Sequence, residues 1–211
     1  MLRVFPLLIG LLIFLYHAIE DTSRTDYFIS GAQHLDITKM NQELNRTKDS
    51  LTVARWIKNS PWTNHLTLMR QDFNNVFIEV KEHRPRAIWR FGGVISDEGA
   101  LFFPNASDIP KDLPVIDAPV SQLEQSTWFL DELEEDLKRV QLWPIRIYQQ
   151  RSADWIVELP NHRSFIFGTN DLDNRVKVCK KILTKLTLSN KRWGRVDFRY
   201  PKAFAISKNP L

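Results

Sequence analysis

The sequence has little of what would mark an enzyme, a metal protein or a nucleic-acid binder. Cysteine occurs once, at Cys179. One thiol closes no intramolecular disulfide, so the fold must rest on packing. Glycine occurs only seven times, and there is no Gly-rich phosphate loop, no Gly-x-Ser-x-Gly elbow and no Ser-x-x-Lys pair in an elbow context. The five histidines, His17, His34, His65, His83 and His162, never fall at a spacing that sets two on one face beside a Cys or carboxylate ligand. A charge field of one sign is missing too. The 29 basic residues are mixed with 25 acidic ones for a net +4, which leaves no stripe for nucleic acid. No metal, cofactor, small-molecule substrate or nucleic acid is expected. Catalysis would need carboxylates that converge only in space.

What is present is core-forming material. Apolar residues make up 43% of the 211 positions, with seven Trp and thirteen Phe, enough for two small domains. From Val4 to Ile19 the sequence reads VFPLLIGLLIFLYHAI without a charge. As a helix at about 1.5 Å per residue it covers most of a bilayer core of roughly 30 Å. A removable signal peptide has the same basic start and apolar run, but Tyr16, His17, Ala18, Ile19 and Glu20 offer no small-x-small cleavage pair, and Tyr16 suits an interfacial belt. Retention is expected. Arg3 and the amino terminus lie before the run, and Glu20, Asp21, Arg24 and Asp26 after it. The basic bias keeps residues 1–3 in the cytoplasm, makes 4–19 a transmembrane helix and places everything beyond outside.

Residues 20–26 read as a polar linker. Helices are expected from Leu35 to Leu44, with Asp36 as N-cap, and from Leu51 to Asn59, stopped by Pro61. His65 to Arg70 and Val76 to Glu82 form a hairpin around Gln71, Asp72, Asn74 and Asn75, and short strands follow at Ala87 to Phe91, Val94 to Ser96 and Ala100 to Phe103. Pro104 to Pro119, with its prolines and little periodicity, reads as a rigid loop. A helix from Ser126 to Val140 turns Leu130, Leu133, Leu137 and Val140 inward and an acidic face to water. Strands at Ile145 to Gln149, Trp155 to Leu159 and Ser164 to Gly168 make a meander. A helix capped by Asp171 runs to Leu188 and buries Cys179 among Leu172, Val176, Leu183 and Leu186. Val196 to Tyr200 alternates apolar and polar residues, and Ala203 to Ser207 follows as a near-edge run. The resulting fold class is α+β.

Three stretches carry a resemblance. Ser60 to Trp89 (SPWTNHLTLMRQDFNNVFIEVKEHRPRAIW) sets Pro-Trp after a helix, a strand ending in Arg70, a turn, a strand ending in Val80, Lys81 and Glu82, then Pro85, Ala87 and Trp89. In Val94 to Pro119, Ser96, Asp97, Glu98, Gly99 and Phe102 precede Leu113-Pro-Val-Ile-Asp-Ala-Pro119. Trp155 to Ser207 gives a Trp strand, a turn, a strand ending at Gly168, a helix with Arg175, and VDFRYPKAFAIS. In this order and spacing, after one apolar stretch, they resemble the bacterial FtsQ cell-division family over about Tyr27 to Ser207. Pro201, Lys202 and Ala203 stand where that family often has a Gly.

The resemblance implies a polypeptide-transport-associated (POTRA) α/β domain at 27–90 and, at 91–211, a β domain of antiparallel strands with helices on one face. It implies a non-enzymatic, single-pass inner-membrane scaffold at the septum, its C-terminal part periplasmic, which recruits FtsB- and FtsL-like anchored partners to cell-wall synthesis. Carried over by position, Arg199 would pair with a partner's acid and Tyr200 and Phe204 would supply aromatic area. Ala203, Phe204, Ala205, Ile206 and Ser207 would offer backbone to an added strand, with Arg151 as a further cation. Two rivals stay open: a chaperone-like POTRA module binding at Val76 to Glu82, and a tethered cell-wall hydrolase.

Overall fold

The computed structural model describes residues 26–36, 38–40, 42, 50–71, 75–188, 193–200 and 203–208. The expected cytoplasmic tail, membrane helix and nearly all of the linker lie outside them. Among the described residues no helix is long and apolar enough to cross a membrane. The chain divides into two compact units between His83 and Arg84.

In the first unit β1 (Asp26–Ser30) pairs in parallel with β3 (Asn75–Glu82), which pairs antiparallel with β2 (Thr63–Arg70), giving the order β1-β3-β2. Two periodicities meet in the core. Helix α1 (Ser50–Lys58) buries Val53 and Ile57, four apart, against Val76, Ile78 and Val80, two apart on β3. The carboxylate of Asp36 accepts the Lys39 backbone N–H at 3.0 Å, an N-cap contact ahead of the helical residues 38–40. The expected helix from 35 to 44 otherwise falls partly outside the described residues. Gly31 has φ +82°, and the Val80 carbonyl oxygen occupies the space a Cβ would fill, so only glycine fits there. The Glu82 carboxylate then fixes the following turn, accepting the Gln33 N–H at 3.0 Å and bonding His34 Nδ1 at 2.7 Å.

Among the described residues the second unit is built on nine strands: β4 (Pro85–Trp89), β5 (Val94–Ser96), β6 (Leu101–Phe102), β7 (Val115–Asp117), β8 (Arg146–Gln149), β9 (Trp155–Leu159), β10 (Arg163–Gly168), β11 (Arg195–Asp197) and β12 (Ala205–Ser207). Their order is β12-β11-β10-β9-β8-β7-β4-β5-β6. The strand at 85–89 belongs to this sheet, so the division falls before it and not at residue 90. The expectation of antiparallel strands is corrected: β4 with β7, β7 with β8 and β10 with β11 run parallel. Parallel neighbours need a crossover, and two helices supply it, α2 (Leu123–Arg139) between β7 and β8, and α3 (Leu172–Leu188) between β10 and β11. The proline-rich stretch read as a loop contains β7.

Register aligns Ile116, Ile147, Val157, Phe165 and Val196 across five neighbouring strands. These share one core with Phe129, Leu130, Leu133 and Leu137 of α2 and with Val176, Cys179, Leu183 and Leu186 of α3. Lys180 of α3 reaches Glu132 of α2 at 2.6 Å, joining the two helices on the wet side.

Candidate functional site

β11 ends earlier than its alternating pattern suggests. The Asp197 side chain accepts the Arg199 backbone N–H at 3.0 Å, and such a local bond draws the chain out of the ladder. Val196 and Phe198 are buried, but Tyr200 is 53% exposed and not part of a strand. The chain then returns as β12, antiparallel to β11 with Val196 opposite Ile206. β12 is terminal in the sheet, so among the described residues no strand pairs with its outer side. Phe204 and Ile206 are 39% and 51% exposed there, beside the exposed Ala203 and Ala205 and the half-buried Ser207.

This exposed corner rests on a row of packed aromatic rings. Phe204 leans on Phe198 with ring centroids 6.1 Å apart, Phe198 stacks on Phe167 at 5.3 Å, and Phe167 meets Phe129 of α2 at 5.1 Å. Between the corner and the first turns of α3 lies a recess of about 190 Å³ lined by Asn174, Arg175, Val178, Tyr200, Ala203 and Phe204. A larger hollow of about 400 Å³, at Pro85, Leu113, Leu130 and Trp143, lies away from β12, and Arg86 spans its rim to Asp131 at 3.0 Å and to Glu134.

The expected residues divide into two groups. Tyr200, Ala203, Phe204, Ala205, Ile206 and Ser207 come together along one edge. Arg199 is engaged within its own chain. Its Nε and Nη2 donate to Asp197 at 2.9 and 2.6 Å, and its Nη1 donates to Asp154 at 3.0 Å. The paired carboxylates hold its guanidinium above the ordinary arginine range. Burial alone would raise the Asp197 carboxyl, but the bonds from Arg199 outweigh it and hold that carboxyl below its usual range. Arg151 sits exposed in the β8–β9 turn, which is closed by the Gln150 N–H to Asp154 at 3.0 Å and the Ala153 N–H to Gln150 at 2.8 Å. The turn therefore meets the β11 end through Asp154.

Asp154, Asp197 and Arg175 were not singled out as site residues from the sequence. A signal existed for one pair: Asp197 and Arg199, two apart in an alternating run, put opposite charges on one face. Asp154 is 45 residues from Arg199, and nothing local announces it.

The model of the cell division protein FtsQ/DivIB C-terminal region matches residues 87–199, more than half of the chain. The chain belongs to the FtsQ/DivIB family. It is 24% identical over 164 residues to cell division protein FtsQ of Allochromatium vinosum, covering 78% of this chain and 66% of that one. It is 25% identical over 147 residues to the Coxiella burnetii protein of that name, covering 69% and 60%. Against FtsQ of Aliivibrio fischeri it is 21% identical over 169 residues, covering 80% and 64%. The chain thus spans somewhat under two thirds of the length of these relatives. Membership in the FtsQ/DivIB family gives it a role in cell division, and the family match ends at Arg199, just where the exposed corner begins.

Proposed function

We propose that this chain is a division scaffold, not an enzyme, that docks FtsB- and FtsL-like anchored proteins along β12 and the recess beside α3. One observation carries the reading. A three-residue terminal strand stands with Tyr200, Phe204 and Ile206 exposed around it, on a base of stacked aromatics. A partner strand added there gains backbone hydrogen bonds, and the recess accepts one of its apolar side chains. The aromatic rings provide large contact area at small entropic cost. Arg199, already oriented by Asp197 and Asp154, frames the site as a fixed half-exposed cation.

The same proposal assigns the uncharged stretch 4–19 as an anchor in the inner membrane, with the POTRA-like unit and the β domain in the periplasm at the septum. A tethered module and tethered partners meet in two dimensions, which raises their effective concentration.

The test is photocrosslinking in dividing cells from a reactive residue at position 204 and, as a contrast, at the exposed Glu79 on the first-unit hairpin. Adducts of short bitopic division proteins from position 204, lost on Tyr200→Ala with an unchanged thermal midpoint, support the reading. Adducts of unfolded outer-membrane proteins from position 79 alone would replace it with the chaperone-like alternative.

A further inference from the structure

We propose that Arg175 is the positioning residue of the docking corner: its guanidinium clamps the end of β10 to the segment that carries Arg199 and Tyr200. The inference rests on the docking reading above and deepens it. Arg175 lies one turn into α3, and its side chain spans two separate pieces of chain. Nη1 donates to the Phe167 carbonyl oxygen, and Nη2 donates to the Arg199 carbonyl oxygen at 3.2 Å. Charge-assisted bonds from a planar fork fix the separation and the orientation of the two carbonyls they share. The Arg199 carbonyl begins the peptide unit that leads into Tyr200, so this bond bears directly on where the Tyr200 ring stands.

Gly168 belongs to the same device. Its φ of +72° suits glycine, and a Cβ there would run into the Arg175 guanidinium and come within 3.1 Å of Arg199 Cγ. Glycine leaves the space through which the fork passes. Arg175 also lines the recess together with Tyr200 and Phe204. Arg199 is held by Asp197 and Asp154 through its side chain and by Arg175 through its backbone. The corner is thereby fixed from the sheet and from the helix at once, and it reaches its partner preorganised.

The test uses the full chain in lipid nanodiscs, with the fluorescently labelled extracytoplasmic segment of the same organism's FtsB-like protein as the probe. Arg175→Lys keeps the charge and loses the fork, and Arg175→Gln loses both. Positioning predicts that each weakens binding about tenfold, that the thermal midpoint falls by no more than a few degrees, and that the loss persists at high salt. Rescue by lysine, with a salt-sensitive loss in the glutamine variant, would mean that Arg175 touches an acidic partner group directly, and would overturn the proposal. Gly168→Ala, which displaces the fork without removing it, should weaken binding in the same way. In a double-mutant cycle the Arg175→Lys and Tyr200→Ala losses should be non-additive, and additive losses would overturn the proposal. Hydrogen exchange of the unliganded chain separates this proposal from the docking reading. Arg175→Lys should speed exchange at Arg199, Tyr200 and residues 204–206 while the amides of α3 keep their protection. Unchanged exchange sinks the clamp, whereas faster exchange in a chain whose wild type ignores the probe sinks only the docking reading.

Discussion

Arg199 reaches back two residues and forks onto Asp197, Nε at 2.9 Å from Oδ1 and Nη2 at 2.6 Å from Oδ2. The pair makes Arg199 a structural residue as well as a candidate contact. Arg199→Glu sets a third carboxylate against Asp197 and Asp154, and the half-exposed setting limits the cost to about 1–2 kcal/mol. The expected result is a lower thermal midpoint even with no partner present. Loss of capture in that variant then mixes two effects, and Tyr200→Ala, which removes an exposed ring, is the cleaner probe. A charge reversal that leaves the melting curve unmoved would show that the ion pair is not formed in solution.

Acid should weaken the second unit. Burial alone would raise the carboxyls of Asp117 and Asp197, but hydrogen bonds from Arg146 and Arg90 to Asp117, and from Arg199 to Asp197, outweigh it and lower both. A carboxylate whose folded value is depressed adds stability that is fully present above its unfolded value, near 4, and disappears as pH falls through the folded value. The thermal midpoint should therefore hold near neutral pH and drop below about pH 4. Asp117→Asn should flatten that acid limb and cost about 1–3 kcal/mol at pH 7, because Arg90 and Arg146 lose the negative charge they share. An equally steep limb in the variant would assign the acid sensitivity elsewhere.

The long amphipathic helices were the most legible part of the fold. Spacings of three and four among Leu130, Leu133 and Leu137, and among Val176, Cys179, Leu183 and Leu186, follow from helix geometry alone, and all seven residues are buried. The β9–β10 hairpin was legible for a similar reason, since its partners are adjacent in sequence. β7 was not. It spans three residues inside a proline-rich stretch, and its parallel neighbours β4 and β8 lie on either side at long sequence distance. Parallel pairing leaves no local turn signal, so the mixed sheet was invisible for the same reason. At the candidate site the edge run 203–207 was readable from its pattern and its resemblance. The exposure of Tyr200 followed instead from the Asp197 side chain drawing Arg199 out of the ladder.

Cys179 should be silent toward thiol reagents. It is fully buried on the inner face of α3, and burial pushes its thiol well above the ordinary cysteine range, so neither access nor thiolate is available for attack. Iodoacetamide should leave the mass of the native chain unchanged and add one alkyl group once denaturant unfolds it. Rapid native-state labelling would mean that α3 opens, and with it the base of the docking corner.

Phe198 and Phe204 are neighbours in one aromatic row and should behave in opposite ways. Phe198 is buried between Phe165, Phe167 and Phe204, and truncating a fully buried ring costs about 3–5 kcal/mol through lost transfer energy and the cavity left behind. Phe198→Ala should therefore lower the denaturation midpoint sharply, and capture should fail because the edge is no longer supported. Phe204 keeps more than a third of its surface in water, so Phe204→Ala should cost only about 1–2 kcal/mol while reducing partner capture as strongly as Tyr200→Ala does. Chemical denaturation of both variants, beside crosslinking yield from a reactive residue at position 206, separates the two roles. If Phe204→Ala lowered stability as much as Phe198→Ala, the ring would be part of the core, and the exposed corner would shrink to Tyr200 and Ile206.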